Sequence, residues 1–408
     1  DLNPYLTRPQ LVAVGEKLTA KQAMSLAITE AYRGTGFVSP NPLVGCVILD
    51  AENRFLVSGY HAQVGQAHAE AQALQKVTRE KLQGATVYVT LEPCAHQGRT
   101  PSCAKTLAQY PIAQVVYGLQ DPNPLVAGQG AEILKQAGIH ASLYSELYDD
   151  PKMIAELEQV AEHFLWNFRQ KKVFYSLKVA SSLDGQMALQ SGESKWITNE
   201  KSRHVSHVLR AAHDAVMIGA GTYLQDDPSL NIRVEGLQNK KKKVIVLDAK
   251  AQALKHFLQN IKTVNLAKAH SLENIYFVID QSIQDLVTAW ISDLKGEQMG
   301  SESLPQILWT QSSYGSSEFL NELDQGLWSL KMRSVFVEGG AKVLSSFIRE
   351  MAAQRLYLFQ APIILGAKSG RAWSEQVSID SMKEKISIHN IDLVRLEQDT
   401  LITGRFQE

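Results

Sequence analysis

The sequence predicts an α/β protein of two domains, on three observations. A single hydrophobic core rarely grows past about 250–300 residues, and this chain has 408. Strand-like and helix-like segments alternate along the chain in two series, separated by a break in pattern near residues 145–152. The strand-like segments are continuous apolar runs bounded by Gly, Pro and Asn, as expected for strands buried on both faces of a sheet.

In the first series, residues 20–33 carry a helical apolar rhythm. Residues 43–50 and 55–61 read as strands, 67–77 as a helix, 85–92 as a strand and 101–110 as a helix. Strand 113–119, helix 130–138 and strand 139–144 complete it. An amphipathic helix over 151–169 places Ile154, Leu157, Val160, Ala161, Phe164 and Leu165 at helical spacing and is expected to connect the domains. The second series runs through strand 173–181, helix 201–213, strands 214–219, 243–249, 275–280, 305–310 and 333–340, helix 341–351 and strand 355–362. Residues 391–406 read as a hairpin. The expected domains are 1–148, with 1–19 as an extension, and 149–408.

Composition excludes several classes. Lys plus Arg is 41 and Asp plus Glu is 42, so the formal charge is −1. That balance gives no general electrostatic footprint for nucleic acid or a membrane surface. Hydrophobic content of 45% with 20% charged residues excludes wholesale disorder. No run of about 18 apolar residues exists, so no membrane span is predicted. The first 18 residues lack the basic and apolar regions of a signal peptide, and the sequence shows no initiator Met. Cys46, Cys94 and Cys103 are the only cysteines, an odd count that forms no disulfide framework and fits a reducing cytoplasm. Cys46, inside Val-Gly-Cys-Val-Ile, is expected in a strand core.

Two segments carry chemistry in the first domain: His68-Ala69-Glu70, and Glu92-Pro93-Cys94 with Cys103 nine residues on. Zinc takes imidazole nitrogen and thiolate sulfur, and a catalytic zinc keeps three protein ligands and one open position. His68, Cys94 and Cys103 supply that set, near helix starts that favour thiolates. Glu70, two residues from His68, can move protons from a bound water to a leaving amine without binding the metal. This is the residue pattern of zinc-dependent nucleobase deaminases. The alternatives are two buried thiols or a structural zinc site, for which His96 is the candidate fourth ligand.

The eight residues between Cys94 and Cys103 exceed the two-residue gap of cytidine and tRNA deaminases. With Asn41-Pro42, Val44-Gly45, Gly59-Tyr60-His61, Gln120-Asp121-Pro122-Asn123-Pro124 and Val126-Ala127-Gly128, this region resembles the deaminase half of the bifunctional riboflavin-biosynthesis deaminase/reductases. The resemblance covers about residues 20–408. It implies a cytidine-deaminase-like three-layer domain followed by a dihydrofolate-reductase-like domain. It also implies a diaminopyrimidinone phosphoribosyl substrate that loses ammonia from C2. Asn41, His61, His96, Arg99, Asp121 and Asn123 are then implied to line the substrate site. Arg99 stands where lysine is common, so the charge is kept. For Asp121 and Asn123 a Pro-bracketed turn is the alternative role.

The second domain has no G-x-G-x-x-G after its first strand. It has Val337-Glu338-Gly339-Gly340 between a strand and a helix, where a phosphate can approach backbone N–H groups. A Gly-Gly turn without a ligand is the alternative. Residues 178–185, 191–198 and 219–233 resemble the reductase half of the same family. The resemblance implies that Ala180, Trp196, Thr222, Asp226, Gly339 and Gly340 contact NADPH. It implies that Ser194, Arg210, Leu230, Arg233 and Glu338 contact substrate. Arg210 and Arg233 are guanidinium forks suited to a ribose phosphate. Lys178, Asp184 and Asp226 are the titratable groups expected beside the cofactor cleft. Asp248-Ala249 departs from the family, where serine often follows that aspartate. The run Lys240–Lys243 has two readings, a contact to the 2′-phosphate of NADPH or a solvated strand entry.

The expected function is therefore bifunctional. Zinc-dependent hydrolytic deamination comes first, then NADPH-dependent reduction of the ribosyl group to a ribityl product. A tRNA-acting deaminase is disfavoured by the neutral charge and the second domain. A non-catalytic ligand sensor would carry a broken metal or proton-shuttle position, and His68, Glu70, Cys94 and Cys103 are all present. The partners expected are phosphoribosylaminopyrimidine substrates, with no nucleic acid and no membrane. A homo-oligomer formed through the reductase domain is also expected.

Overall fold

The structure, a computed structural model, describes residues 12–95, 101–124, 127–193, 197–238, 240–297 and 304–407. In the first unit, strands β1 (Gly45–Leu49), β2 (Phe55–Tyr60), β3 (Ala85–Leu91), β4 (Ile112–Leu119) and β5 (His140–Leu143) form one sheet in the order β2-β1-β3-β4-β5. β1 runs antiparallel to β2 and β3, whereas β3, β4 and β5 are parallel. Residue alternation sorts the core into two faces. Cys46 and Ile48 pack with Ala69, Ala73, Ala104, Leu107 and Leu134, from helices α2 (Ala69–Leu74), α3 (Cys103–Leu107) and α4 (Gln129–Gln136). Val47 and Leu49 face the other way, onto Ala23, Met24, Ala27 and Ile28 of helix α1 (Ala20–Tyr32). This is the expected three-layer domain, and Cys46 is core.

Helix α1 begins at a capping box, in which Thr19 Oγ1 accepts from Gln22 N–H while Gln22 Oε1 accepts from Thr19 N–H. After the short helix α5 (Tyr144–Leu147), the expected connector is two helices, α6 (Pro151–Val160) and α7 (Glu162–Gln170). Met153 and Leu157 of α6 are buried in the same cluster as α1, and Lys21 pairs with Asp150 at 2.7 Å. The units consequently part between Lys171 and Lys172, later than the expected boundary at 148, because α6 completes the first core.

The second unit builds a nine-stranded sheet. Its strands are β6 (Phe174–Ser181), β8 (Ala215–Gly219), β9 (Lys243–Leu247), β10 (Ile275–Asp280), β11 (Gln306–Thr310), β12 (Ser334–Val337), β13 (Arg355–Gln360), β15 (His389–Leu396) and β16 (Asp399–Arg405). The order is β11-β10-β9-β8-β12-β6-β13-β16-β15, with β7 (Gln186–Leu189) and β14 (Gly370–Ala372) pairing apart from it. The seven strands from β11 to β13 are parallel, and the expected C-terminal hairpin β15–β16 adds antiparallel to β13. Helices α8 (Glu200–Ala212), α9 (Ala220–Asp226), α10 (Gln252–Gln259), α11 (Asn265–Ala269), α12 (Gln284–Glu297), α13 (Ser317–Ser329) and α14 (Ala341–Arg349) connect the strands.

Along β6, Tyr175, Leu177 and Val179 join the cluster of Phe319, Leu323 and Phe347 from α13 and α14. The alternate residues Ser176, Lys178 and Ala180 face the other side. There His213 Nδ1–H donates to Leu209 O and Nε2 accepts from Ser176 Oγ, both at 2.7 Å. β12 enters between β8 and β6, and such a reversal of strand order is where open parallel sheets bind ligands.

Within the run 240–243, Lys241 is exposed, while two of its neighbours are tied to backbone carbonyls. Lys242 is buried, and its ammonium donates to Ala211 O and His213 O at the end of α8. Lys243 Nζ donates to Leu330 O at 2.8 Å.

Candidate active sites

Three loops meet at the first site. His68 is the N-cap of α2, Cys94 follows β3, and Cys103 opens α3 behind its N-cap Ser102. Ser102 Oγ donates to Cys94 O at 2.7 Å, and Cys103 N–H donates to Cys94 Sγ at 3.3 Å, so the two cysteine segments are locked together. His68 Nδ1 lies 3.7 Å from Cys94 Sγ and 3.3 Å from Cys103 Sγ. A tetrahedral zinc with bonds of about 2.0–2.3 Å sets its ligand atoms roughly 3.5–3.8 Å apart. The residues present thus fit zinc in spacing and donor type. Hydrogen bonds from Cys103 and His68 hold the Cys94 thiol down at about 4, while the Cys103 thiol, hydrogen-bonded to Cys94 and buried, is pushed up.

Glu70, in the first turn of α2, is buried beside this set. Burial, then the negative charge on Cys94, raises its pKa above the usual carboxylate range. A carboxyl so placed can hold or release a proton near neutrality.

His61 extends the site. Its ring stands edge-on to His68, with centroids 5.2 Å apart. Nδ1–H donates to Ala67 O at 3.3 Å, which leaves Nε2 to accept from Asn41 Nδ2 at 3.1 Å. Burial lowers the His61 pKa, so the ring is neutral at pH 7. Asn41 and His61 are thus linked to each other beside His68. Asp121 and Asn123 lie on the loop after β4, where Asn123 N–H donates to Asp121 Oδ1 at 2.8 Å. His96 and Arg99 lie outside the described residues.

The second site gathers at the C-terminal ends of β6, β8 and β12. Arg210 of α8 and Glu338 after β12 form a two-pronged ion pair, Nε to Oε1 at 2.6 Å and Nη2 to Oε2 at 3.0 Å. Their side chains are only 10% and 11% exposed. Arg210 Nη1 also donates to Asn231 O at 2.5 Å. Burial alone would raise the Glu338 pKa, but the Arg210 charge and hydrogen bonds outweigh it and hold it low. Lys178 adjoins this pair across the β6–β12 register, and burial lowers its pKa against the opposing attraction of Glu338.

Arg233 N–H donates to His207 Nδ1 at 3.3 Å, and Arg233 Nε–H approaches His207 Nε2 at 3.4 Å. Burial, then the charges of Arg210 and Arg233, lowers His207 to about 4. Leu230 is buried with φ 50°, turning the loop that carries Asn231 and Arg233.

Helix α14 starts at Gly340, and no side chain caps it. A Cβ at Gly340 would sit 3.5 Å from Thr222 Oγ1, so this hydroxyl borders the helix start. Gly339 is required for packing, since a Cβ there would lie 2.6 Å from Val343 Cβ. Asp226 lies one turn along α9 from Thr222, and Ala180 shares the face of Lys178. An uncapped helix start beside a hydroxyl fits the phosphates of a dinucleotide. Ser194 and Trp196 lie outside the described residues. Asp184 is occupied elsewhere, accepting from Ser182 Oγ, Leu365 N–H and Gly366 N–H. Asp248 accepts from Leu254 N–H at the start of α10, and burial raises its pKa to about 6.

Residues 18–119 match the cytidine and deoxycytidylate deaminase zinc-binding region, and residues 173–401 match the RibD C-terminal domain. The riboflavin biosynthesis protein RibD of Aquifex aeolicus is 32% identical, over 94% of this chain and 97% of its own. The chain belongs to the RibD family. The Escherichia coli RibD is 34% identical, over 84% of this chain and 88% of its own. Among solved structures, Acinetobacter baumannii RibD aligns with a TM-score of 0.74 at 32% identity, covering 94% of this chain and 97% of that one. A deaminase/reductase from Thermotoga maritima aligns at 0.72 and 31% identity, with the same coverage. The chain is thus a bifunctional RibD-type deaminase and reductase of riboflavin biosynthesis, a hydrolase and an oxidoreductase in one chain. Its deaminase domain is of the zinc-binding kind and its reductase domain of the NADPH-using RibD kind.

Two residues of these sites had no assigned role in the sequence. Glu92 accepts four backbone N–H bonds from residues 121–131, and His207 braces Arg233. Glu92 stands in the Glu-Pro-Cys motif, but its partners are 29–39 residues away.

Proposed function

We propose that the first unit deaminates 2,5-diamino-6-(5-phosphoribosylamino)pyrimidin-4-one and that the second reduces the resulting 5-amino-6-(5-phosphoribosylamino)uracil to its ribityl product. The Thermotoga maritima relative bears the name of these two activities. The observation that carries the reading is the convergence of His68, Cys94 and Cys103 beside the buried carboxyl of Glu70.

His68 Nδ1 and the two thiolates are the ligands, and a zinc held by them supplies a Lewis acid that acidifies water to a pKa of about 7. Glu70 would hold and release a proton at a carboxylate oxygen between an attacking water and the departing amine, for which its raised pKa is suited. Asn41, His61 and Asp121, with Asn123, read the pyrimidine edge, and His96 and Arg99 meet the phosphate. The neutral His61 ring, fixed by Ala67 O and Asn41, orients that wall of the site.

In the second unit NADPH supplies hydride for the ribosyl C1′. Gly339, Gly340 and Thr222 hold its phosphates, while Ala180, Trp196 and Asp226 line the rest of the cofactor cleft. Arg233 takes the substrate phosphate, and Ser194 is a further substrate contact. Arg210 spends two donors on Glu338 and its Nη1 on Asn231 O and His207 Nδ1, so it fixes Glu338 and meets substrate with its remaining Nη2 N–H. Glu338 and its neighbour Lys178 face the sugar, and Leu230 shapes the loop that carries Arg233.

We further assign the work to the cytoplasm, with free thiols and no nucleic-acid partner, as a homo-oligomer joined through the reductase unit. No helix among the described residues is long and apolar enough to cross a membrane. The test is incubation with zinc, the diaminopyrimidinone phosphate and NADPH, with ammonia release and NADPH oxidation followed separately. Both are expected, and ammonia release without zinc would refute the metal assignment. Sedimentation tests the oligomer, and tRNA binding that persists at high salt would refute the substrate class.

A further inference from the structure

Glu92 ends β3 two residues before Cys94 and is 5% exposed. Its carboxylate has no cationic partner among the described residues and instead gathers four backbone donors. Oε2 accepts from Asp121 N–H at 3.2 Å and Gly128 N–H at 3.0 Å, the two ends of the loop that carries Asn123. Oε1 accepts from Gly130 N–H at 3.1 Å and Ala131 N–H at 3.3 Å, in the first turn of α4. The backbone is shaped for this convergence. Gly128 is left-handed at φ 80°, and a Cβ on Gly130 would lie 2.0 Å from Pro93 O. The α4 start is thereby pressed against the peptide that joins Glu92 to Cys94.

We propose that Glu92 is a positioning residue of the deaminase, which fixes the 121–128 loop in register with the metal ligand Cys94. The proposal rests on the reading of Asp121 and Asn123 as substrate contacts. One carboxylate holds both ends of the loop and the helix behind it, so it acts on substrate through Asp121 and touches neither substrate nor metal. Only an ionised carboxylate offers acceptors at both oxygens to four N–H groups. A glutamine would turn an NH2 toward two of them and release either the loop ends or the helix start.

The test compares Glu92→Gln, Glu92→Asp and Asp121→Asn in the full-length zinc-loaded enzyme. Loss of charge-assisted bonds commonly amounts to roughly ten- to a hundredfold. Glu92→Gln is expected to raise the deamination KM by about that factor, with kcat changed far less. Zinc should stay at one per chain and NADPH oxidation on the deaminated substrate should be unaltered. Glu92→Asp, which keeps the charge on a shorter arm, should recover part of the KM. Amide exchange should quicken at residues 121, 128, 130 and 131, while the β1 and β3 amides keep their protection. An unchanged KM for Glu92→Gln beside a raised KM for Asp121→Asn overturns the role of Glu92 alone. An unchanged KM for Asp121→Asn overturns the substrate reading of the loop and the proposal with it. Loss of zinc in both Glu92 variants also overturns it, since the residue would then serve the metal strand.

Discussion

The two sites differ in how their charges are arranged. In the deaminase unit, donors from three adjacent loops converge on one point, with Glu70 and His61 buried beside them and Glu92 buried behind. In the reductase unit, Arg210 and Glu338 neutralise one another across the cleft, and the uncharged His207 ring lies between two guanidinium groups. The first arrangement is built to hold an ion and move one proton. The second is a sprung network, in which removing one member leaves its partner buried and unpaired.

The largest effect expected from breaking the first arrangement is at Glu70. Glu70→Gln should lower deamination by about 10²–10⁴-fold, the usual worth of a positioned acid–base. Elemental analysis should still find one zinc per chain. Cys94→Ser, by contrast, should lose the zinc itself, and full retention would remove Cys94 from the ligand set. The reductase network should respond in stability as well as in rate. Arg210→Ala strands Glu338 and should destabilise its unit by about 3–5 kcal/mol. Urea unfolding by tryptophan fluorescence reads this directly, since five of the six tryptophans lie beyond Lys171. The double change Arg210→Met with Glu338→Met should recover stability and still lack reductase activity. Recovery of neither would show that the pair is not the source of the loss.

A smaller effect concerns pH. His207 sits at about 4 when folded, below its ordinary value near 6.5, because of burial and then the Arg210 and Arg233 charges. The folded state therefore binds fewer protons than the unfolded one between these values. Its contribution to stability is complete above pH about 6.5 and is lost as the pH falls toward about 4. Urea midpoints of the second unit should drop over that window, and His207→Gln should flatten the drop. A slope unchanged in His207→Gln would assign the pH response to another group.

The contrast also explains what was legible in the sequence. His68, Glu70, Cys94 and Cys103 fall in two short motifs, so type and spacing alone named them. The parallel strands announced themselves as apolar runs, and β15–β16 as a hairpin. Arg210 and Glu338 are 128 residues apart, and only a family resemblance put them in one site. Lys242 looked like part of a solvated run because the carbonyls it caps belong to the end of α8, some 30 residues earlier. Helix α13 was obscured by Gly326, which weakens a helix in isolation. In the fold that glycine allows close approach, as a Cβ there would lie 2.9 Å from the Leu308 side chain of β11. The late boundary after α7 was hidden for a similar reason, since Leu157 reads as amphipathic whichever unit it completes.

The central claim is that one chain holds two chemically separate sites, a zinc deaminase before Lys171 and an NADPH reductase after it. The most direct measurement gives the Glu70→Gln enzyme each substrate in turn. With the diaminopyrimidinone phosphate and NADPH, neither ammonia release nor NADPH oxidation is expected. With the already deaminated phosphoribosylamino-uracil, NADPH oxidation at the rate of the unaltered enzyme is expected. A variant inactive on both substrates, with its zinc intact, would contradict the claim.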